Sequence, residues 1–169
     1  MITVLTGTQD MPFGRLMGGI AEGWERLEKY KPMIVQAGST KVGEVPNWVR
    51  VIDFCGRQEV EGLLRESKFC ITHGGTGSIV GAIKAGCKVA VMPRLKAYGE
   101  HNDDHQVEIA ELFEETGLVV YWRESMSVGD VLGRLEEFEP VEYLSEFGKL
   151  RESIAADVAE FLGKPGGWG

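Results

Sequence analysis

The most constraining stretch of the sequence runs from Phe69 to Val80. An apolar run, Phe69-Cys70-Ile71-Thr72, ends at His73; Gly74, Gly75, Thr76, Gly77 and Ser78 follow, and Ile79-Val80 resumes an apolar pattern. So short and apolar a run predicts a strand buried on both faces. The small residues then turn the chain into a helix. A helix entered this way exposes backbone N–H groups at the positive end of its dipole, which favours an anion. Glycine lets that backbone come close to a phosphate, and Thr76 and Ser78 can cap the helix or donate to an oxygen. Two readings stay open for the loop alone: a nucleotide or sugar-nucleotide site, or a glycine-bearing βα connection without a ligand.

The rest of the chain repeats the same alternation. Strands are expected at Ile2–Thr6, Pro32–Ala37, Val49–Phe54, Phe69–Thr72, Lys88–Met92 and Leu118–Trp122. Helices are expected at Phe13–Tyr30, Glu59–Glu66, Gly77–Ala85, His105–Glu115, Ser127–Phe138 and Tyr143–Leu162. In the first of these, Phe13, Leu16, Met17, Ile20, Trp24 and Leu27 hold helical spacing, although Gly18, Gly19 and Gly23 weaken it. Gly86 and Gly117 read as helix stops, and Ser127 with Asp130 as a helix start. Alternating strands and helices predict an α/β domain with a doubly wound, mainly parallel sheet and helices on both faces, Rossmann-like. It spans residues 1–164, and 165–169 form a flexible tail.

Charge and cysteines narrow the function. The formal net charge is −8 and no run of Lys or Arg occurs, which argues against nucleic acid and against direct docking on anionic lipid. Cys55, Cys70 and Cys87 are odd in number and lack CxxC spacing, so free buried thiols are expected. The start, Met1-Ile2-Thr3-Val4, enters a strand without a signal peptide, and no apolar run is long enough to span a bilayer. A cytoplasmic protein is expected, held at a membrane only through a partner.

Ligands of open parallel sheets bind at the carboxyl ends of the strands. That rim gathers the loop Gly7-Thr8-Gln9, the loop Gly74–Ser78 and the polar stretch Arg94–Gln106. Two helix N-termini meeting at one point suit a diphosphate, although neither GxxxxGK[ST] nor GxGxxG is present. His101, Asp103, Asp104 and His105 are metal-ligand types, but adjacent residues rarely converge on one ion. They can equally form a solvated loop in which Asp103 or Asp104 caps the helix, or they can read the hydroxyls of a polyol. His73 can be a base, a phosphate donor or a polar strand end. No Ser-His-Asp or Cys-His arrangement supports covalent hydrolysis.

The ordered strings Gly7-Thr8, Thr72–Ser78, Val91-Met92-Pro93-Arg94 and Gly99–Gln106 resemble the family 28 glycosyltransferase C-terminal domain. The similarity is greatest to its small stand-alone members. These are the donor-binding subunits of split bacterial exopolysaccharide and capsule transferases, and the catalytic subunit of the two-part dolichol-linked N-acetylglucosaminyltransferase. The resemblance implies the C-terminal half of a GT-B fold that binds a UDP-sugar and transfers a hexose-type sugar to a lipid-linked acceptor. It implies that Gly7, Thr8, Gln9, Gly74, Gly75, Thr76, Gly77 and Ser78 hold the diphosphate, and that Phe54 and Cys55 line the uracil and ribose site. His105 and Gln106 fall where the family touches the donor sugar, beside the polyol candidates His101, Asp103 and Asp104. No metal or other cofactor is implied. The family's ribose-binding Glu stands eight residues after the His, where this chain has Gly81. One Rossmann-like half leaves the acceptor site, and the catalytic base, to a membrane-associated partner subunit; His73 is the base candidate within this chain.

Overall fold

The computed structural model describes residues 1–143. Six parallel strands form one sheet: β1 (Ile2–Leu5), β2 (Met33–Gln36), β3 (Val49–Ile52), β4 (Phe69–Thr72), β5 (Lys88–Val91) and β6 (Val120–Tyr121). Their order is β3-β2-β1-β4-β5-β6. Ile2 pairs with Met33 on one side and Phe69 on the other, so β1 and β4 lie side by side at the centre. Those two strands feed connections that run outward in opposite directions. This is the topological switch point at which α/β sheets open a crevice.

The helices α1 (Gly14–Ala21), α2 (Trp24–Leu27), α3 (Arg57–Arg65), α4 (Thr76–Lys84), α5 (His105–Glu115) and α6 (Val128–Glu137) cover both faces. Leu16, Ile20, Leu27, Val131 and Leu135 from α1, α2 and α6 pack with Ile2, Val4, Phe69 and Ile71. Leu64, Ile79, Ala82 and Ala110 from α3, α4 and α5 pack with Leu5, Cys70, Val89 and Val91 on the other face. Successive strand residues therefore serve opposite cores, and β1, β2 and β4 are buried throughout. A doubly wound parallel sheet demands this, and it explains why these mainly apolar runs lack polar alternation.

The expected helix over Phe13–Tyr30 is broken. α1 ends at Ala21, Gly23 precedes α2, and Glu28–Tyr30 is a 3-10 turn. The cause is Gly23: a Cβ there would collide with the Val128 side chain, so α6 packs into the gap. Leu16, Ile20 and Leu27 still share one core, which preserves the helical spacing across the break. The strand expected at Leu118–Trp122 pairs only through Val120 and Tyr121. Ser127 and Asp130 cap each other reciprocally at the start of α6. Gly86 and Gly117 end their helices at φ of +88° and +71°. Cys70 and Cys87 are buried and Cys55 half-buried, all free thiols; burial raises Cys87 to about 11. Among the described residues no helix is long and apolar enough to cross a membrane. The expected helix Tyr143–Leu162 and the tail 165–169 lie outside the described residues.

Candidate nucleotide-sugar site at the switch point

The loops after β1 and β4 are brought together because their strands are neighbours. Gly75 is the N-cap of α4 and offers no side-chain cap, and no acidic residue stands in the first turn. The Ser78 N–H is taken by Gly75 O at 3.0 Å. The N–H groups of Thr76 and Gly77 have no partner among the described residues, and both residues are exposed. By contrast, α6 begins with a capping box and α5 has Asp103 at its first N–H. The start of α4 thus keeps its full positive end toward solvent, beside the β1 loop.

His73 forms the floor between the two loops. It is 9% exposed. A Cβ on Gly7 would come within 2.8 Å of its ring, and a Cβ on Gly75 would overlap it. Both glycines therefore serve the packing of His73 as well as access to the loop, and Gly7 at φ +92° also needs its freedom for the turn. Nδ1 lies 3.4 Å from Leu5 O and 3.3 Å from Thr72 Oγ1, while Nε2 has no partner among the described residues. Burial, followed by the charge of nearby Arg94, lowers the His73 pKa to about 4. The ring is neutral at pH 7.

Two buried side chains that sequence reasoning left without a structural role hold the rim together. The Gln106 side-chain oxygen accepts the N–H of Gly74 at 2.9 Å and that of Arg94 at 3.1 Å, tying α5 to the glycine loop and to the end of β5. A Cβ on Gly74 would lie 2.6 Å from Gln106 Cβ, so Gly74 is glycine to admit this residue. Arg94 is 1% exposed. It donates to Thr6 O at 2.7 Å, Met11 O at 2.7 Å and Glu100 O at 2.9 Å, and its guanidinium stacks 4.8 Å from the Phe13 ring centroid. Burial lowers its pKa. Glu100 in turn pairs with Arg15 at 2.8 Å and accepts the Leu95 N–H at 3.0 Å. A lone Arg immediately after an apolar strand and a proline was the available signal.

The remaining candidates divide. Phe54 is 58% exposed and lines a groove of about 520 Å³ at the ends of β2 and β3, with Ser39, Thr40, Lys41 and Asp53. Cys55 follows it, half-buried; burial raises its thiol pKa. That groove begins one strand spacing from β1 and extends to the second, roughly 5–10 Å away on the same rim. Thr8, Gln9, Asp103, Asp104 and His105 are exposed. Gln9 and Asp103 both reach His101, whereas Asp104 and His105 bond elsewhere. Asp104 accepts the Lys96 N–H at 2.8 Å, and His105 Nδ1 faces Glu108 at 3.2 Å. The described residues contain no group of three His, Cys, Asp or Glu side chains placed to hold an ion.

Known structures share this fold. The glycosyltransferase SnogD from Streptomyces nogalater is 20% identical with a TM-score of 0.56, over 79% of this chain and 34% of that one. The calicheamicin glycosyltransferase CalG4 is 16% identical with a TM-score of 0.59, over 81% of this chain and 34% of that one. The chain thus spans about a third of the length of these enzymes. The solution structure of ALG13 is 20% identical with a TM-score of 0.58, over 88% of this chain and 93% of that one. No curated protein matches at the level of sequence. The model of the glycosyltransferase family 28 C-terminal domain matches residues 1–145, and the chain belongs to that family.

Proposed function

We propose that this protein binds the UDP-sugar donor of a glycosyltransferase and acts with a separate acceptor-binding subunit. The observation that carries the reading is the start of α4: uncapped, free of acidic residues and set beside the β1 loop at the switch point. Thr76 and Gly77 N–H groups are free to donate to a diphosphate. As the sugar leaves it, the growing charge on that diphosphate meets fixed backbone donors and the helix dipole, so no metal is required of the site. His73, neutral beneath the loops with Nε2 unpartnered among the described residues, faces the diphosphate side; deprotonation of an acceptor hydroxyl falls to the partner. The groove beside Phe54 receives the uridine, and the polar rim around His105 the sugar.

The chain matches about a third of SnogD and CalG4, so the reading assigns the acceptor site to residues outside the matched domain. The partner is a membrane-associated subunit that brings this acidic chain to the cytoplasmic membrane face, where a hexose-type sugar passes to a lipid-linked acceptor of polysaccharide or glycan synthesis. Calorimetric titration with UDP, UMP and UDP-sugars tests the donor site: affinity should rise from UMP to UDP. Equal affinity for the two would remove the diphosphate cradle. Turnover by the purified chain alone would replace the two-part reading with a self-sufficient homodimeric transferase. Donor binding without transfer in the presence of the partner would leave a regulatory module.

A further inference from the structure

Three polar side chains bond one another at the exposed edge of the rim. His101, on the loop before α5, places Nε2 3.0 Å from Nε2 of Gln9, 92 residues earlier in the chain. Its Nδ1 lies 2.9 Å from Asp103 Oδ1. The same carboxylate oxygen accepts the N–H of His105, the first residue of α5, at 3.1 Å. The Asp103 N–H also points at Nδ1, at 3.3 Å, a longer contact that Nδ1 can accept only in the other tautomer. An ionised acceptor makes the shorter and stronger bond, so the carboxylate keeps the proton on Nδ1. A neutral imidazole has one donor and one acceptor, which leaves Nε2 to accept from the Gln9 amide.

Gln9 sits at the tip of the β1 loop, and that tip has little else to hold it. Gly7 O is fixed by Gln36 at 3.1 Å and Met11 O by Arg94 at 2.7 Å. Between them, Thr8, Gln9 and Asp10 are exposed, and the contact with His101 is their one hydrogen bond to the rest of the described residues. A relay therefore runs from the start of α5 through Asp103 and His101 to the tip of the β1 loop.

We infer that Gln9, His101 and Asp103 form a latch that holds the tip of the β1 loop against the polar rim, in the position where it faces a diphosphate on α4. This rests on the donor-site reading above and deepens it. His101 and Asp103 are positioning residues, acting through Gln9 rather than by touching the sugar. The latch fixes Thr8 and Gln9 before the nucleotide arrives, so binding does not have to order them.

A double-mutant cycle on Gln9→Ala and His101→Ala tests it, with two readouts. In the free protein, ¹⁵N relaxation order parameters at residues 8–10 should fall equally in either variant, and the ¹⁵N spectrum of wild-type His101 should show Nδ1 protonated. Asp103→Asn should weaken that tautomer preference. In UDP titrations each single variant should lose about fivefold to tenfold in affinity, and the double variant no more than either alone. His101→Gln, which keeps an acceptor, should recover part of the loss. Additive losses, or unchanged order parameters at residues 8–10 in His101→Ala, would overturn the latch while leaving the donor site standing. If the wild-type chain bound no UDP, the donor-site reading would fall and the positioning role with it.

Discussion

Arg94 offers the sharpest energetic test of how the rim is assembled. Its guanidinium donates to Thr6 O, Met11 O and Glu100 O at 2.7–2.9 Å, joining the β1 loop to the loop after β5. Arg94→Met keeps most of the volume and removes all three bonds. Bonds from a charged donor contribute about 1.5–3 kcal/mol each, so the gross loss is at least about 4–5 kcal/mol. Two effects offset it. The variant no longer buries a charge, and it removes Arg94 Nε, which is buried without a partner among the described residues. The net loss should be roughly 3 kcal/mol, because three carbonyls remain without their donor. For a domain of this size that lowers Tm by roughly 6–12 °C. Arg94→Lys should fall between, since one ammonium lacks the planar fork that spans three carbonyls and also loses the Phe13 stack. Urea and thermal unfolding followed by circular dichroism measure both. If Arg94→Met melted within about 2 °C of wild type, the guanidinium would not be what joins the two loops, and the assembly of the rim would need another explanation.

Other outcomes follow from the same geometry. Gly77 has open space where a Cβ would stand, so Gly77→Ala should hold or raise stability, by up to about 1 kcal/mol, while weakening UDP binding; Gly75→Ala should lower stability as well, because its methyl displaces the His73 ring. Unchanged UDP affinity in Gly77→Ala, read by calorimetry, would move the diphosphate away from α4. His73 has its folded pKa lowered from 6.5 to about 4, so the unfolded chain binds the extra proton first. Its contribution is present above pH 6.5 and lost as pH falls toward 4, on the order of 3 kcal/mol in all. Unfolding free energies of wild type and His73→Asn between pH 7 and pH 4, at about half-unit steps, should show the slope flatten in the variant; parallel curves would contradict the buried neutral ring. At Gly81 a Cβ would meet only Leu64 Cδ1, at 3.9 Å. Gly81→Glu should therefore fold normally and raise affinity for UDP over its 2′,3′-dideoxy analogue; no change in that ratio would remove ribose recognition from α4.

The sheet was legible because its strands are apolar on both faces and its turns are marked by small residues. β4 and α5 fall at the expected residues, Phe69–Thr72 and His105–Glu115, where His73 and the Asp103-Asp104 pair give clear end signals. The break near Gly23 was hidden, because Leu16, Ile20 and Leu27 keep one periodicity while facing one core. What breaks that helix is Val128, more than a hundred residues away. The glycine loops were legible in the same local way, as a strand opening into a helix. Arg94 and Gln106 were not, since their partners are backbone atoms of Thr6 and Gly74, 88 and 32 residues distant. A side chain that satisfies a remote carbonyl or N–H leaves no mark on the spacing of its own segment.

The glycines of the two loops show how far a local reading of such a turn can carry. Read alone, Gly7, Gly74 and Gly75 are room for a phosphate. In the fold each is small because of a side chain beneath it: His73 under Gly7 and Gly75, Gln106 under Gly74. Only Gly77 has its Cβ direction open and stands in the first turn of α4. The loops are therefore shaped first by packing, which fixes where the Thr76 and Gly77 N–H groups sit before any ligand is bound. A cradle set this way needs little reorganisation to receive an anion, and preorganised donors stabilise developing charge most. It follows that variants beneath the loops, such as those at His73 or Gln106, should perturb affinity through backbone position, whereas variants at Gly77 should act by occupying the proposed diphosphate site itself.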